Sequence, residues 1–167
     1  MPIMLRGIEG IKAHVGFNLG KSSWLEVNQE MIDSFARETE DRQWIYVDPQ
    51  KARQGPFGTT VAQGYLTLGL VAAMLQDIYV LEGVGVGMHY GIDNMRFPLP
   101  VPVNASIRLE AMLKSVTSFE DTGEIVLACT VECDATQTPV MHGDIIYRFW
   151  PEHANDKRPA SEASGVR

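Results

Sequence analysis

Hydrophobic positions along the chain change their spacing about halfway through the 167 residues. In the second half they recur at every second position, which is the spacing of strands that bury one face. Three such runs have apolar positions at Ile107, Leu109, Ala111 and Leu113, at Ile125, Leu127, Cys129, Val131 and Cys133, and at Met141, Ile145, Tyr147 and Phe149. Short polar segments join the runs at Glu120–Gly123 and Ala135–Thr138, so the pattern predicts an antiparallel meander.

One further alternating run precedes this meander. Apolar side chains alternate from Val86 to Ile92 and then continue one residue out of phase at Met95 and Phe97. A slip of one residue in an alternating strand predicts a bulge, here near Asp93–Asn94. Three prolines follow at every second position and end the strand.

Helical spacing dominates the first half of the chain. A short strand is expected over 22–27, and Asn28 then provides a good N-cap for a helix with one apolar stripe. The stripe comprises Met31, Ile32, Phe35 and Ala36. A further turn or short helix is predicted to start at Asp48–Pro49.

The segment from Gln54 to Gln76 contains no charged residue, which is long enough to span a bilayer. Glycines and polar residues interrupt it, and no cluster of lysine or arginine flanks it. It therefore predicts a buried helix from about Thr59 to Val80, apolar on most sides because a curved sheet wraps around it. The predicted fold class is α+β, with an antiparallel sheet of about five strands around one long central helix.

Composition and charge indicate which partners, domain bounds and cellular location to expect. The chain is 45% hydrophobic and 21% charged, with a net charge of −7 and no basic patch, so no nucleic-acid partner is expected. We expect one domain over 1–150 and a flexible polar tail over 151–167. No signal peptide is recognised, and Cys129 and Cys133 are expected to be two free, buried thiols. A cytoplasmic protein without a membrane segment is the resulting expectation.

Three segments carry a family resemblance in combination. Residues 39–49 read Thr-Glu-Asp-Arg-Gln-Trp-Ile-Tyr-Val-Asp-Pro, and Gly-Pro-Phe-Gly at 55–58 precedes Ala-Gln-Gly-Tyr-Leu-Thr-Leu at 62–68. The third segment is Arg-Phe-Pro at 96–98, followed by Pro-Val-Pro-Val at 100–103. Together they resemble the MaoC-like (R)-specific enoyl-CoA hydratases and dehydratases over most of residues 8–150.

This resemblance implies a hot-dog fold, usually as a dimer, and a reaction that adds water to an enoyl thioester or removes it. The substrate would be carried on coenzyme A or acyl carrier protein, with no metal or redox cofactor. A homodimer, or a heterodimer with another hot-dog subunit, is the expected assembly. In the family an aspartate and a histidine, with four residues between them, handle the protons, and a backbone N–H binds the thioester oxygen.

Asp41 matches the family's aspartate, and Gly64 matches the glycine whose N–H binds the thioester oxygen. Tyr46, however, occupies the position of the histidine. The resemblance therefore implies Asp41, Tyr46 and Gly64 as the catalytic residues. Three further side chains are expected to contact the substrate: Gln63, which stands where the family commonly has a second histidine, Trp44 and Arg96.

The loss of the histidine matters because imidazole, with a pKa of about 6.5, transfers protons at neutral pH, whereas a phenol with a pKa of about 10 does so poorly. Three hypotheses follow. The chain is a MaoC-like hydratase or dehydratase with altered chemistry, a non-catalytic hot-dog subunit that scaffolds an active partner, or a divergent enzyme for thioester hydrolysis, isomerisation or cyclisation. His89 is an alternative source of an imidazole.

Overall fold

The computed structural model describes residues 1–119 and 122–152. The helices are α1 Gly7–Lys12, α2 Gln29–Thr39, α3 Trp44–Val47, α4 Pro49–Ala52 and α5 Gly64–Leu75. The strands are β1 Ile3–Arg6, β2 Asn18–Lys21, β3 Leu25–Glu26, β4 Tyr79–Glu82, β5 Val84–Arg96, β6 Ser106–Phe119, β7 Thr122–Cys133 and β8 Met141–Pro151. The predicted turn at 120–123 falls partly outside the described residues, and the predicted tail falls almost wholly outside them.

The main sheet is six-stranded and antiparallel, in the order β2-β6-β7-β8-β5, with β3 also pairing with β6. This order confirms the predicted meander. Residues 107–113 and 125–133 alternate between buried and less buried positions, with their apolar side chains inward. The mixed α+β fold class is likewise confirmed.

Helix α5 packs against this sheet, in contact with β6 and β8. Its buried side chains are Leu66, Thr67, Val71, Met74 and Leu75. Its opposite side is exposed in the single chain, at Tyr65, Gly69 and Ala72. The helix is therefore covered on one side and not on most sides, which differs from the expectation drawn from its composition.

The predicted bounds of this helix were wrong at both ends. Residues 60–62 are extended, because Val61 forms a bridge with Pro102 and the N–H of Ala62 donates to the carbonyl of Val101. Thr60 does not cap the helix; its hydroxyl donates to Oε1 of Gln29 at 2.6 Å. At the other end, Val80 lies in β4, which pairs in parallel with β1 as a separate two-stranded sheet.

Two predictions that depend on only a few neighbouring residues, a helix cap and a strand bulge, were confirmed. The Asn28 side chain accepts a hydrogen bond from the N–H of Met31 at 3.0 Å, which confirms the predicted cap. The ladder of β5 with β8 shifts register between Asp93 and Arg96, with Asn94 at a φ of 54°, which confirms the predicted bulge. Both cysteines are buried and free. No helix among the described residues is long and apolar enough to cross a membrane.

Candidate active site

Four parts of the chain meet at one pocket, whose lining residues are Asp41, Tyr46, Gln63, Gly64, Tyr65 and Phe97. Asp41 enters it because α2 ends at Thr39 and the next residue, Glu40, adopts a left-handed conformation with a φ of 63° that turns the chain. The Asp41 carboxylate accepts a hydrogen bond from Nε2 of Gln43 at 3.2 Å. No other described residue donates a hydrogen bond to this carboxylate, which lines the pocket.

Tyr46 faces the same pocket from the one-turn helix α3 and is half-buried. Burial raises the pKa of its phenol, and the negative charge of Asp41 raises it further. Both effects disfavour the phenolate. At neutral pH the side chain is therefore a hydrogen-bond and proton donor, and it does not act as a base.

Gly64 is the first residue of α5, so its backbone N–H has no acceptor within the helix. No backbone carbonyl in the described ranges accepts it either. Its α carbon lies so close to Phe97 that a Cβ would be 3.2 Å from the ring. A free N–H at a helix N-terminus attracts negative charge, which suits an oxyanion.

Gln63 lies beside this N–H and is almost fully buried, with 2% of its surface exposed. Its Nε2 donates to the carbonyl of Ile32 in α2 at 3.1 Å, which ties the start of α5 to that helix. Its Oε1 has no hydrogen-bond partner among the described residues. A buried acceptor without a donor is costly, so this oxygen favours a donor supplied from the pocket.

The other two predicted contact residues lie elsewhere. The Trp44 indole lies against Gly55, and the Lys51 ammonium is 5.0 Å from the centre of the indole ring. Arg96 is exposed, and its guanidinium donates to the carbonyl of Met95 at 2.9 Å. Neither side chain lines the pocket, and a role for either in substrate binding stays a prediction.

Sequence reasoning did not single out Tyr65 and Phe97 as parts of the site. Their rings contact edge to face, with centroids 6.2 Å apart. Phe97 also lines a second, more apolar pocket that shares Tyr46 and Gly64 with the first. The position of Phe97 within the Arg-Phe-Pro motif at 96–98 was the signal that could have found it.

A carboxylate, a phenol and a helix N-terminal N–H therefore line one pocket on a hot-dog scaffold. The model of the MaoC-like domain matches residues 11–133. The chain belongs to this family of hydratases and dehydratases.

Two kinds of similarity accompany the family match. The 3-hydroxyacyl-thioester dehydratase Z of Mycobacterium tuberculosis is 36% identical over 143 residues, which cover 85% of this chain and 95% of that protein. A monoamine oxidase regulatory protein from Archaeoglobus fulgius superposes with a TM-score of 0.73 at 22% identity, covering 92% of this chain and 99% of the other. A chain of the ChsH1–ChsH2 complex from M. tuberculosis has a TM-score of 0.63 at 17% identity, covering 83% and 98%. Both structural matches support the hot-dog fold.

Proposed function

We propose that the protein interconverts 3-hydroxyacyl and enoyl thioesters by removing or adding water. The observation that carries this proposal is the meeting of Asp41, Tyr46 and the Gly64 N–H in one pocket. Similarity to a 3-hydroxyacyl-thioester dehydratase along 95% of its length supports the same reaction over the two alternatives.

In the direction of hydration, the Gly64 N–H would hold the thioester oxygen. Asp41 takes one proton from water as the water oxygen bonds to the β carbon, and the double-bond electrons move to form an enolate. Tyr46 then gives its proton to the α carbon, and the proton on Asp41 returns to the Tyr46 oxygen. The sum is one water added, with both side chains restored.

This cycle explains how a phenol can replace the usual histidine, and at what cost. A developing enolate beside an oxyanion donor is basic enough to take a proton from a phenol, while the carboxylate serves as the base. The raised pKa of Tyr46 makes it a weak acid, so the rate should fall below that of an imidazole site by a factor on the order of 10²–10⁴. Addition of water changes no oxidation state overall, so the reaction calls for no redox cofactor.

Gln63 fits this scheme as a contact for the substrate. Its unpartnered Oε1 would accept a hydrogen bond from the reacting water or from the 3-hydroxyl group. The acyl group would be carried on coenzyme A or on acyl carrier protein.

The assembly we propose is a dimer, with a second copy or another hot-dog subunit. Within the described ranges β5 has a free edge, since it ends the sheet order. It also exposes large apolar side chains on both faces: Val86 and Met88 on one face, and Ile92 on the other. Such an edge favours pairing with another chain. Light scattering of the purified protein should give twice the chain mass, and a monomer at micromolar concentration would contradict the dimer.

The reaction is tested with crotonyl-CoA and longer enoyl-CoAs, by following the loss of the enoyl absorbance. Asp41→Asn and Tyr46→Phe should each lower kcat by about 10²-fold or more, with thermal unfolding unchanged. Glu38→Gln is the matched control, because it removes one exposed carboxylate near the end of α2. The double variant Tyr46→His, Gln63→His should hydrate faster than wild type.

The outcomes separate the hypotheses. Hydration that is unaffected by Asp41→Asn and Tyr46→Phe would refute the site. If wild type and the double histidine variant are both inert, and activity appears only with a co-purifying hot-dog subunit, the chain is a scaffold.

A further inference from the structure

A cleft runs along the exposed side of α5, between this helix and the inner faces of β5 and β8. It starts at Tyr65, which also lines the candidate active site, and passes Leu68 and Gly69. It continues past Ala72, Leu75 and Gln76 to Tyr79 beyond the helix. Tyr147 lines both halves, so we treat them as one feature, the α5 cleft.

The α5 cleft leads away from the point where the thioester would react. At about 1.5 Å per residue, the helical positions from 65 to 76 extend over roughly 16 Å. An acyl group whose thioester oxygen is held at Gly64 would have this cleft as its continuation. The cleft wall is mostly apolar, with Leu81, Ile125 and Phe149 at its far half.

Two phenols interrupt the apolar wall. Tyr147 lies on the inner face of β8, opposite Ile125 on one side and His89 on the other. Tyr79 lines the same far half of the cleft. Burial raises the pKa of Tyr147 to about 12 and raises that of Tyr79 as well. No hydrogen bond to another described residue contributes to the pKa of either hydroxyl.

Neither phenol oxygen is among the fully buried, unpartnered atoms of the described residues, so both can bond to water in the free protein. A purely hydrocarbon ligand would remove that water without replacing its hydrogen bonds, which is unfavourable. A ligand oxygen placed there would accept a hydrogen bond from a phenol. Pockets built to hydrogen-bond a substrate group discriminate strongly against analogues that lack the group. The two phenols are thus better explained by an oxygen-bearing ligand than by a plain alkyl chain.

We propose that the α5 cleft binds the acyl group of the substrate, and that Tyr79 and Tyr147 select an acyl group with a hydrogen-bond-accepting oxygen far from the thioester. This rests on the proposed function, which supplies the thioester at Gly64. The substrate class is then an oxygenated acyl thioester, such as one with a ketone or hydroxyl along its tail.

Binding of saturated acyl-CoAs tests this without any catalysis, since these thioesters have neither a double bond nor a 3-hydroxyl group. Straight chains of increasing length are titrated by calorimetry, each beside its analogue with a ketone on the penultimate carbon. At the best length, the ketone should bind about tenfold more tightly than the plain chain. Tyr79→Phe and Tyr147→Phe should each move this ratio towards one, mainly by weakening the ketone.

Thr130→Val is the control variant. It also removes one hydroxyl from the sheet, but its neighbours Cys129 and Val131 are the inward-facing, buried residues of β7. Thr130 therefore lies on the opposite face from the cleft. Its replacement should leave the ratio of ketone to plain chain unchanged. Binding of the plain chains shows that each variant is folded.

Three results would overturn the proposal. Equal binding of ketone and plain chains at every length would refute the selection of an oxygen-bearing acyl group, but would not contradict the proposed reaction. Failure of wild type to bind any acyl-CoA refutes the proposed function as well. If the two phenylalanine variants change the oligomeric state and not the binding ratio, the cleft is covered by protein.

Discussion

Replacing Gly64 by alanine places one methyl group between the start of α5 and the Phe97 ring. The added Cβ would lie 3.2 Å from Cδ1 and Cγ of Phe97 and 3.4 Å from Cδ2. Ordinary carbon–carbon contacts are about 3.5–4.0 Å, so the ring must move by a few tenths of an ångström. Phe97 is 37% exposed, which leaves the ring room to move.

The effect on stability should be small because two terms oppose each other. Alanine is more favourable than glycine in a helix by up to about 1 kcal/mol. Crowding of Phe97 removes part of this gain, and we expect a net change in the free energy of unfolding within about 0.5 kcal/mol of zero. Gly69→Ala is the matched substitution in the same helix, since its Cβ meets nothing within 4 Å. It should stabilise the protein by about 0.5–1 kcal/mol.

Gly64→Ala should lower the activity far more than it changes the stability. The new methyl group and the displaced ring narrow the approach to the N–H proposed to hold the thioester oxygen. Loss of one oxyanion donor costs about 10²–10³-fold in kcat, so a decrease of at least about tenfold is expected when that donor is only hindered. Urea unfolding and enoyl-CoA hydration measure the two effects. Full activity combined with a loss of more than about 2 kcal/mol would show that Gly64 is required for packing alone.

The remaining predictions concern stability and thiol access. Asn28→Ala should lower the free energy of unfolding by about 0.5–2 kcal/mol, because the N–H of Met31 loses its acceptor. Asn28→Asp should retain most of the wild-type stability, and urea titration of the two variants measures the difference. The raised pKa of Tyr79 means that the folded state holds its proton more tightly, so this contribution to stability is complete below about pH 10 and is lost as pH rises above it. Wild type should therefore lose up to about 1.4 kcal/mol more per pH unit there than Tyr79→Phe, and parallel curves would contradict this. Burial raises the pKa of Cys129 to about 12, so iodoacetamide should label it only after unfolding, as mass spectrometry can check; rapid labelling of the native protein would refute it.

The sequence motifs contain some residues that line the pocket and others that do not. Asp41, Tyr46 and Gly64 lie 23 residues apart or less and are brought together. Trp44 and Arg96 belong to the same motifs but point elsewhere. A motif fixes backbone order, whereas the direction of each side chain depends on the turn or bulge beside it.

The ends of α5 show why local pattern was insufficient there. The uncharged residues from 54 to 76 suit a helix at every position. Residues 60–62 are nevertheless extended, because their backbone hydrogen bonds pair with 101–103, some forty residues later. A helix boundary predicted from local composition cannot take this pairing into account, since the partner segment is distant in sequence.

By itself, then, the sequence determined the antiparallel meander, the Asn28 cap, the bulge near Asp93 and the family. The first three depend on spacing over a few residues, and the family depends on three motifs taken together. Only the tertiary structure decided the parallel pairing of β1 with β4, the contact of Phe97 with Gly64, and the α5 cleft with its two phenols. Those features join side chains from segments distant in the chain, and their positions follow from the packing of the helix on the sheet as a whole.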